Sequence, residues 1–169
     1  MNNIDNLQEL YFDQLRDLYS AETQLVTALP EMVQNASNAD LREAFSTHLE
    51  ETRGHVRRLD RIFADHGISS GGEECDAMRG LVKEAKKHVD ATSPGDVRDA
   101  VLIASANRVE HYEIAGYGVA KAFAQALGFD NDADVLDETL QEEGKADKLI
   151  TKIATGGFLG SGINQEAIH

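Results

Sequence analysis

Apolar residues recur at three- and four-residue steps through most of this chain, and the steps define four long helices and a short one. The first runs from about Ile4 to Val33 along the line Tyr11, Leu15, Leu18, Glu22, Leu25, Leu29, with Pro30 placed to kink its last turn. The second starts near Ser37–Asn38, where Ser37 and Asp40 resemble a capping box, and ends at Gly67. Its inner line is Leu41, Ala44, His48, Glu51, His55, Leu59, Ile62. After a turn-rich loop over residues 68–74, a short amphipathic helix spans about Cys75 to Val89. Ser93-Pro94 reads as the N-cap and first residue of the third long helix, which stops at Gly128. That helix carries Leu102, Ala106, Val109, Glu113, Ala120, Ala124 and Leu127 on one line, with Glu110 about 60° round beside Ile103, Ile114 and Tyr117. The fourth begins near Asp130–Asn131 and follows Leu136, Leu140, Glu143, Asp147, Ile150 and Ala154.

Short links join the first helix to the second and the third to the fourth, so each pair is expected to form a hairpin. The long middle link carries the short helix. The expected fold is therefore an all-α four-helix bundle with one long crossover. It occupies residues 1–155, and residues 156–169 form a mobile or docking tail. The steps from Glu22 to Glu51 and from Glu113 to Glu143 are nearly equal, which places these glutamates at comparable depth.

Composition changes this picture in one respect. The net charge is −14, from 30 acidic and 16 basic residues. Such a surface repels phosphate backbones and anionic lipid, so neither nucleic acid nor a membrane is an expected partner. No apolar run reaches the length of a membrane span, and the first residues lack a basic segment followed by an apolar one, so the expected location is the cytoplasm. The single cysteine, Cys75, excludes an internal disulfide and reads as structural.

The candidate chemistry lies inside the stripes. Glu22, Glu51, Glu110, Glu113, Glu143 and Asp147 fall on or beside apolar lines, and His48 and His55 share the line of Glu51. Buried anions need partners, because desolvating one costs several kcal/mol. No lysine or arginine shares those lines, so two divalent metal ions are the simplest source of positive charge. On the second helix, periodicity prefers Glu51 to Glu50. On the fourth it prefers Glu143, with Glu142 as the alternative. Carboxylates projecting from four helices with histidine nitrogen suit iron or manganese, and thiolate zinc is excluded. The competing reading is a non-catalytic structural or interaction bundle whose acids form a protonated, hydrogen-bonded network. Phosphate loops and nucleophile elbows are absent.

The segments Tyr19-Ser-Ala-Glu-Thr-Gln-Leu25, His48-Leu-Glu-Glu-Thr52, Val109-Glu-His-Tyr-Glu-Ile-Ala-Gly-Tyr117, Glu142-Glu-Gly-Lys-Ala-Asp147 and Cys75-Asp-Ala-Met-Arg-Gly-Leu81 resemble the YciF/YciE family of ferritin-like bacterial proteins. The resemblance implies a ferritin-like bundle with a dinuclear metal site, a link to bacterial stress responses, and a homodimer. Glu110-x-x-Glu113 and Glu143-x-x-x-Asp147 are also similar to the acidic ligands of rubrerythrin. The usual Glu-x-x-His would put histidine at position 54, which is Gly54. Nitrogen is then expected from His48 or His55. In the expected site Glu51 and one of Glu110, Glu113 or Glu143 bridge two iron or manganese ions. Glu22, Asp147 and one histidine are terminal, and the substrate is a small oxidant such as peroxide or oxygen.

Overall fold

The structure, a computed structural model, describes residues 4–72, 74–157 and 160–168. Its long helices are α1 (Leu7–Asn35), α2 (Ala39–His66), α4 (Asp96–Leu127) and α5 (Asp130–Thr155), and α3 (Asp76–Asp90) lies in the crossover between α2 and α4. α1 packs along α2, and α4 along α5; α1 also meets α4, and α2 meets α5. This is the expected all-α four-helix bundle with a long crossover. Among the described residues no helix is long and apolar enough to cross a membrane.

Local chemistry sets the helix ends, and it moves four of them from their sequence positions. α1 continues through Pro30 to Asn35 and starts at Leu7, where the Asn6 side chain accepts from Glu9 N. The cap of α2 is Asn38, not Ser37: Asn38 Oδ1 accepts from Leu41 N at 3.1 Å. Ser37 instead offers its hydroxyl oxygen to Gly95 N at 3.0 Å. α4 starts at Asp96 rather than at Pro94, because the chain turns at Gly95 with φ +131°, a conformation that favours glycine. One turn inside α4, the fully buried Asp99 accepts from Ser37 N at 2.8 Å and Asn38 N at 2.7 Å. A single carboxylate thus ties the α1–α2 turn to the start of α4.

The tail docks where it is described. Gly156–Gly157 pairs antiparallel with Gly160–Ser161, and α6 (Ile163–Glu166) follows, with Ile163 buried. A Cβ on Gly162 would lie 2.2 Å from Gly156 N and 2.3 Å from Ala154 O, so this close approach requires glycine. Phe158, Leu159 and His169, part of the expected tail, lie outside the described residues, as does Glu73 of the crossover loop.

The apolar core is divided. One cluster contains Leu25, Leu29, Phe45, Met78, Leu102, Val109 and Ile150, and the other Leu15, Leu18, Leu59, Phe63, Tyr117 and Leu136. On each long helix the stretch between the two clusters is polar: Glu22, then His48 to His55, Glu110 and Glu113, and Thr139 to Glu143.

Candidate metal centre

Six side chains fill that dividing layer. α1 supplies Glu22, α2 supplies His48 and His55, α4 supplies Glu110 and Glu113, and α5 supplies Glu143, all of them buried. Helical periodicity brings them there. His48 and His55 are seven residues apart, two turns along one face, and Glu110 and Glu113 are one turn apart.

Their donor atoms fall into two sets that share Glu143. His48, Glu110, Glu113 and Glu143 each offer a ligand atom within 4.8 Å of the others, and so do Glu22, His55 and Glu143. His48 Nε2 lies 3.3 Å from Glu110 Oε1 and 3.6 Å from Glu143 Oε2. His55 Nδ1 lies 3.2 Å from Glu22 Oε1 and 2.9 Å from Glu143 Oε1. These approaches are close but not aligned as hydrogen bonds. Among the described residues, both oxygens of Glu113 and of Glu143, one oxygen each of Glu22 and Glu110, His48 Nε2 and His55 Nδ1 are buried without a hydrogen-bond partner. Buried polar atoms are rarely left so.

Electrostatics follow from burial and crowding. Burial, then the neighbouring carboxylates, push Glu110 and Glu113 well above the usual carboxylate range, with the His48 ring pulling Glu110 back. Burial also raises Glu22, against the pull of His55. Burial would raise Glu143 as well, but the two imidazoles outweigh it and hold Glu143 below its ordinary value. Burial draws both histidines down, yet the surrounding carboxylates win: His48 is pushed up to about 9 and His55 to about 11. Positive charge is what this layer demands, and in its absence the imidazoles keep their protons more tightly while Glu22, Glu110 and Glu113 are driven toward the neutral form. Tyr117 donates its hydroxyl to Glu22 Oε1 and is fully buried, which makes it a support for that carboxylate.

Two of the eight candidate ligands are not in the layer. The Glu51 side chain is 38% exposed, and its Oε2 lies 3.3 Å from His48 Nδ1, on the outer side of that ring. Thr52 holds the inner position on α2, its hydroxyl donating to His48 O at 2.8 Å. Asp147 faces the α4–α5 edge, where it accepts from Asn107 Nδ2 at 2.8 Å and lies 3.1 Å from the exposed His111. Ala146 is the buried residue there. Sequence reasoning missed the role of Glu142, whose carboxylate meets His55 Nε2 at 2.9 Å and is gripped by Arg58. The available signal was Arg58 itself, three residues after His55 and so on the same side of α2.

The donor set fits a pair of divalent ions. The four carboxylates of the layer carry as much negative charge as two such ions neutralise, with both imidazoles neutral and free to ligate. Oxygen-rich donors with imidazole suit iron or manganese.

Comparison with known proteins agrees with this architecture. The family model described as a domain of unknown function (DUF892) matches residues 6–167. Protein YciF of Escherichia coli (strain K12) is 40% identical over 153 residues, which cover 90% of this chain and 92% of YciF. The crystal structure of that E. coli stress protein superposes with a TM-score of 0.85, covering 88% of this chain and 94% of the other. YcfI from Rhodopseudomonas palustris, named for a structural role, is 39% identical with a TM-score of 0.87, covering 90% of this chain and 98% of the other. A dodecameric thioferritin from Bacteroides fragilis, 19% identical with a TM-score of 0.65 over 87% of this chain and 84% of its own, shares the fold. The bundle is therefore ferritin-like.

Proposed function

The chain belongs to the DUF892 family, and from that membership and the buried layer we propose that it is a ferritin-like stress protein that holds a dinuclear iron or manganese centre and reacts with a small oxidant. The observation that carries this reading is the set of donor atoms from four helices, buried without hydrogen-bond partners. Glu22, His48, His55, Glu110, Glu113 and Glu143 would hold the ions, with Glu143 common to both sets.

Bound there, the ions would supply reversible redox chemistry and Lewis-acid activation of peroxide or oxygen. The chain's own part is to place and protect. The two apolar clusters seal the layer on either side and exclude water. Tyr117 fixes one oxygen of Glu22 and leaves the other free. Glu51 and Glu142 hold the outer nitrogens of His48 and His55, so each ring turns its remaining nitrogen inward. Glu110 and Glu113, raised above the ordinary range, take up protons when positive charge leaves the layer.

Metal analysis of protein purified without chelator, followed by anomalous scattering at the iron and manganese edges, tests the reading. About two ions per chain is the expected result, and protein that stays metal-free when offered iron(II) and manganese(II) overturns it. A second reading, a purely structural bundle with a protonated carboxylate network, is favoured by the raised Glu110 and Glu113 and by the name of YcfI. A metal-free result would select it.

A further inference from the structure

Adjacent residues on α5 meet different surroundings. Glu143 ends between the two buried imidazoles, while Glu142 turns to the bundle edge with 23% of its side chain exposed. There Glu142 Oε2 meets His55 Nε2 at 2.9 Å. The Arg58 guanidinium grips both oxygens of the same carboxylate, Nη1 to Oε2 at 2.5 Å and Nη2 to Oε1 at 3.0 Å. Arg58 is held in turn by Glu138 Oε1 at 2.6 Å and Thr139 Oγ1 at 3.3 Å.

A carboxylate facing an arginine can only accept, so His55 donates to it from Nε2. Nδ1 is then the nitrogen presented to Glu22 and Glu143. His48 is arranged the opposite way, with Nδ1 outward on Glu51 and Nε2 inward. The two braces also differ in stiffness. Glu51 is more exposed, its contact is longer at 3.3 Å, and among the described residues no lysine or arginine pairs with it.

We propose that Arg58 and Glu142 are positioning residues that lock His55 with Nδ1 inward and set the cation affinity of the Glu22–His55–Glu143 half, leaving the His48 half unaffected. The proposal rests on the layer being a dinuclear centre. Outer partners of ligating histidines fix the tautomer and raise ligand basicity, and their loss weakens metal affinity about 10–100-fold.

The test is titration of chelator-treated, full-length protein with cobalt(II). Binding is read by competition, and the imidazole N–H protons by paramagnetically shifted NMR signals. Wild type is expected to give two binding steps and two exchangeable N–H signals. Glu142→Ala should weaken one step about 10–100-fold, spare the other, and remove one signal. Glu142→Gln should restore most of both, because its amide oxygen still accepts from Nε2–H. Arg58→Met should weaken the same step less, and it keeps the test open if Glu142→Ala fails to fold. Wild-type steps and signals in Glu142→Ala overturn the clamp and leave the centre standing, and equal weakening of both steps overturns it too. Wild type that takes up no cobalt overturns the dinuclear reading beneath it.

Discussion

Replacing Glu113 with glutamine should change stability in opposite directions with and without metal. Glu113 is fully buried, neither oxygen has a hydrogen-bond partner, and its neighbours in the layer include three other carboxylates. In metal-free protein it is a cost. Burial raises Glu113 above its ordinary value, so folding at neutral pH must either bury its charge or protonate it, and glutamine gains by avoiding that cost of about a few kcal/mol. The amide also lacks partners, which returns about 1–3 kcal/mol of that gain. A net gain of about 1–2 kcal/mol is expected, and in a chain of this size that raises Tm by about 2–8 °C. Metal inverts the sign. At a manganese(II) concentration of about 100 Kd, wild type gains about 2.7 kcal/mol from binding. If losing one donor of the His48 set weakens binding about 100-fold, the variant gains only about 0.4 kcal/mol. Calorimetric melts in chelator and in manganese(II) should therefore cross, with the variant higher in the first and lower in the second. A variant less stable in chelator, or one with an undiminished metal-induced rise, would refute the account of Glu113 as a ligand.

Metal loading at pH 7 should release about two protons per chain from the imidazoles alone, because His48 and His55, raised to about 9 and 11, are charged before loading and neutral after it. Calorimetry in buffers of different ionisation enthalpy measures the release, and a value near zero would contradict the placement of both rings. In the metal-free protein the stability contributed by these rings is fully present below about pH 6.5 and is lost as pH rises through 9 and then 11, so chelated protein should melt earlier at pH 10 than at pH 6. Asp99→Ala strips the backbone N–H groups of Ser37 and Asn38 of their buried carboxylate acceptor and should cost about 1–3 kcal/mol by urea unfolding, with or without metal. Gly162→Ala should release α6 from the bundle, read as faster amide exchange at Ile163, while cobalt(II) affinity stays at the wild-type value.

The bundle was legible because four stretches carry a three-and-four apolar rhythm that resumes on either side of their polar positions, and the long crossover with its short helix followed from loop lengths. Periodicity only preferred Glu143 and left Glu142 as an alternative; the structure buries Glu143, with Leu136 and Ile150 seven residues to either side on the inward face. Glu51 and Asp147 were misplaced by a single step. On α2 the two turns between His48 and His55 can pass through residue 51 or 52, and Thr52 wins because its hydroxyl is satisfied by His48 O without burying a charge. On α5 the inner line runs through Thr139 and Ala146, which bury at small cost, rather than through Leu140 and Asp147. Polar residues adjacent on a helix differ by about 100°, and hydropathy alone does not choose between them when the neighbours on both sides are apolar. The Arg58–Glu142 contact joins α2 to α5 across the bundle, so no local spacing announces its partner.

Each long helix passes from one oily end of the molecule to the other through a band of charge. Were that band to hold ions, their loss would lower the opening free energy of the waist toward that of the termini and loops. Such opening would expose chain to proteases and chaperones, and small losses of stability are enough to change abundance several-fold. Cation supply would then set the lifetime of the molecule, and scarcity would clear it without a dedicated degradation signal.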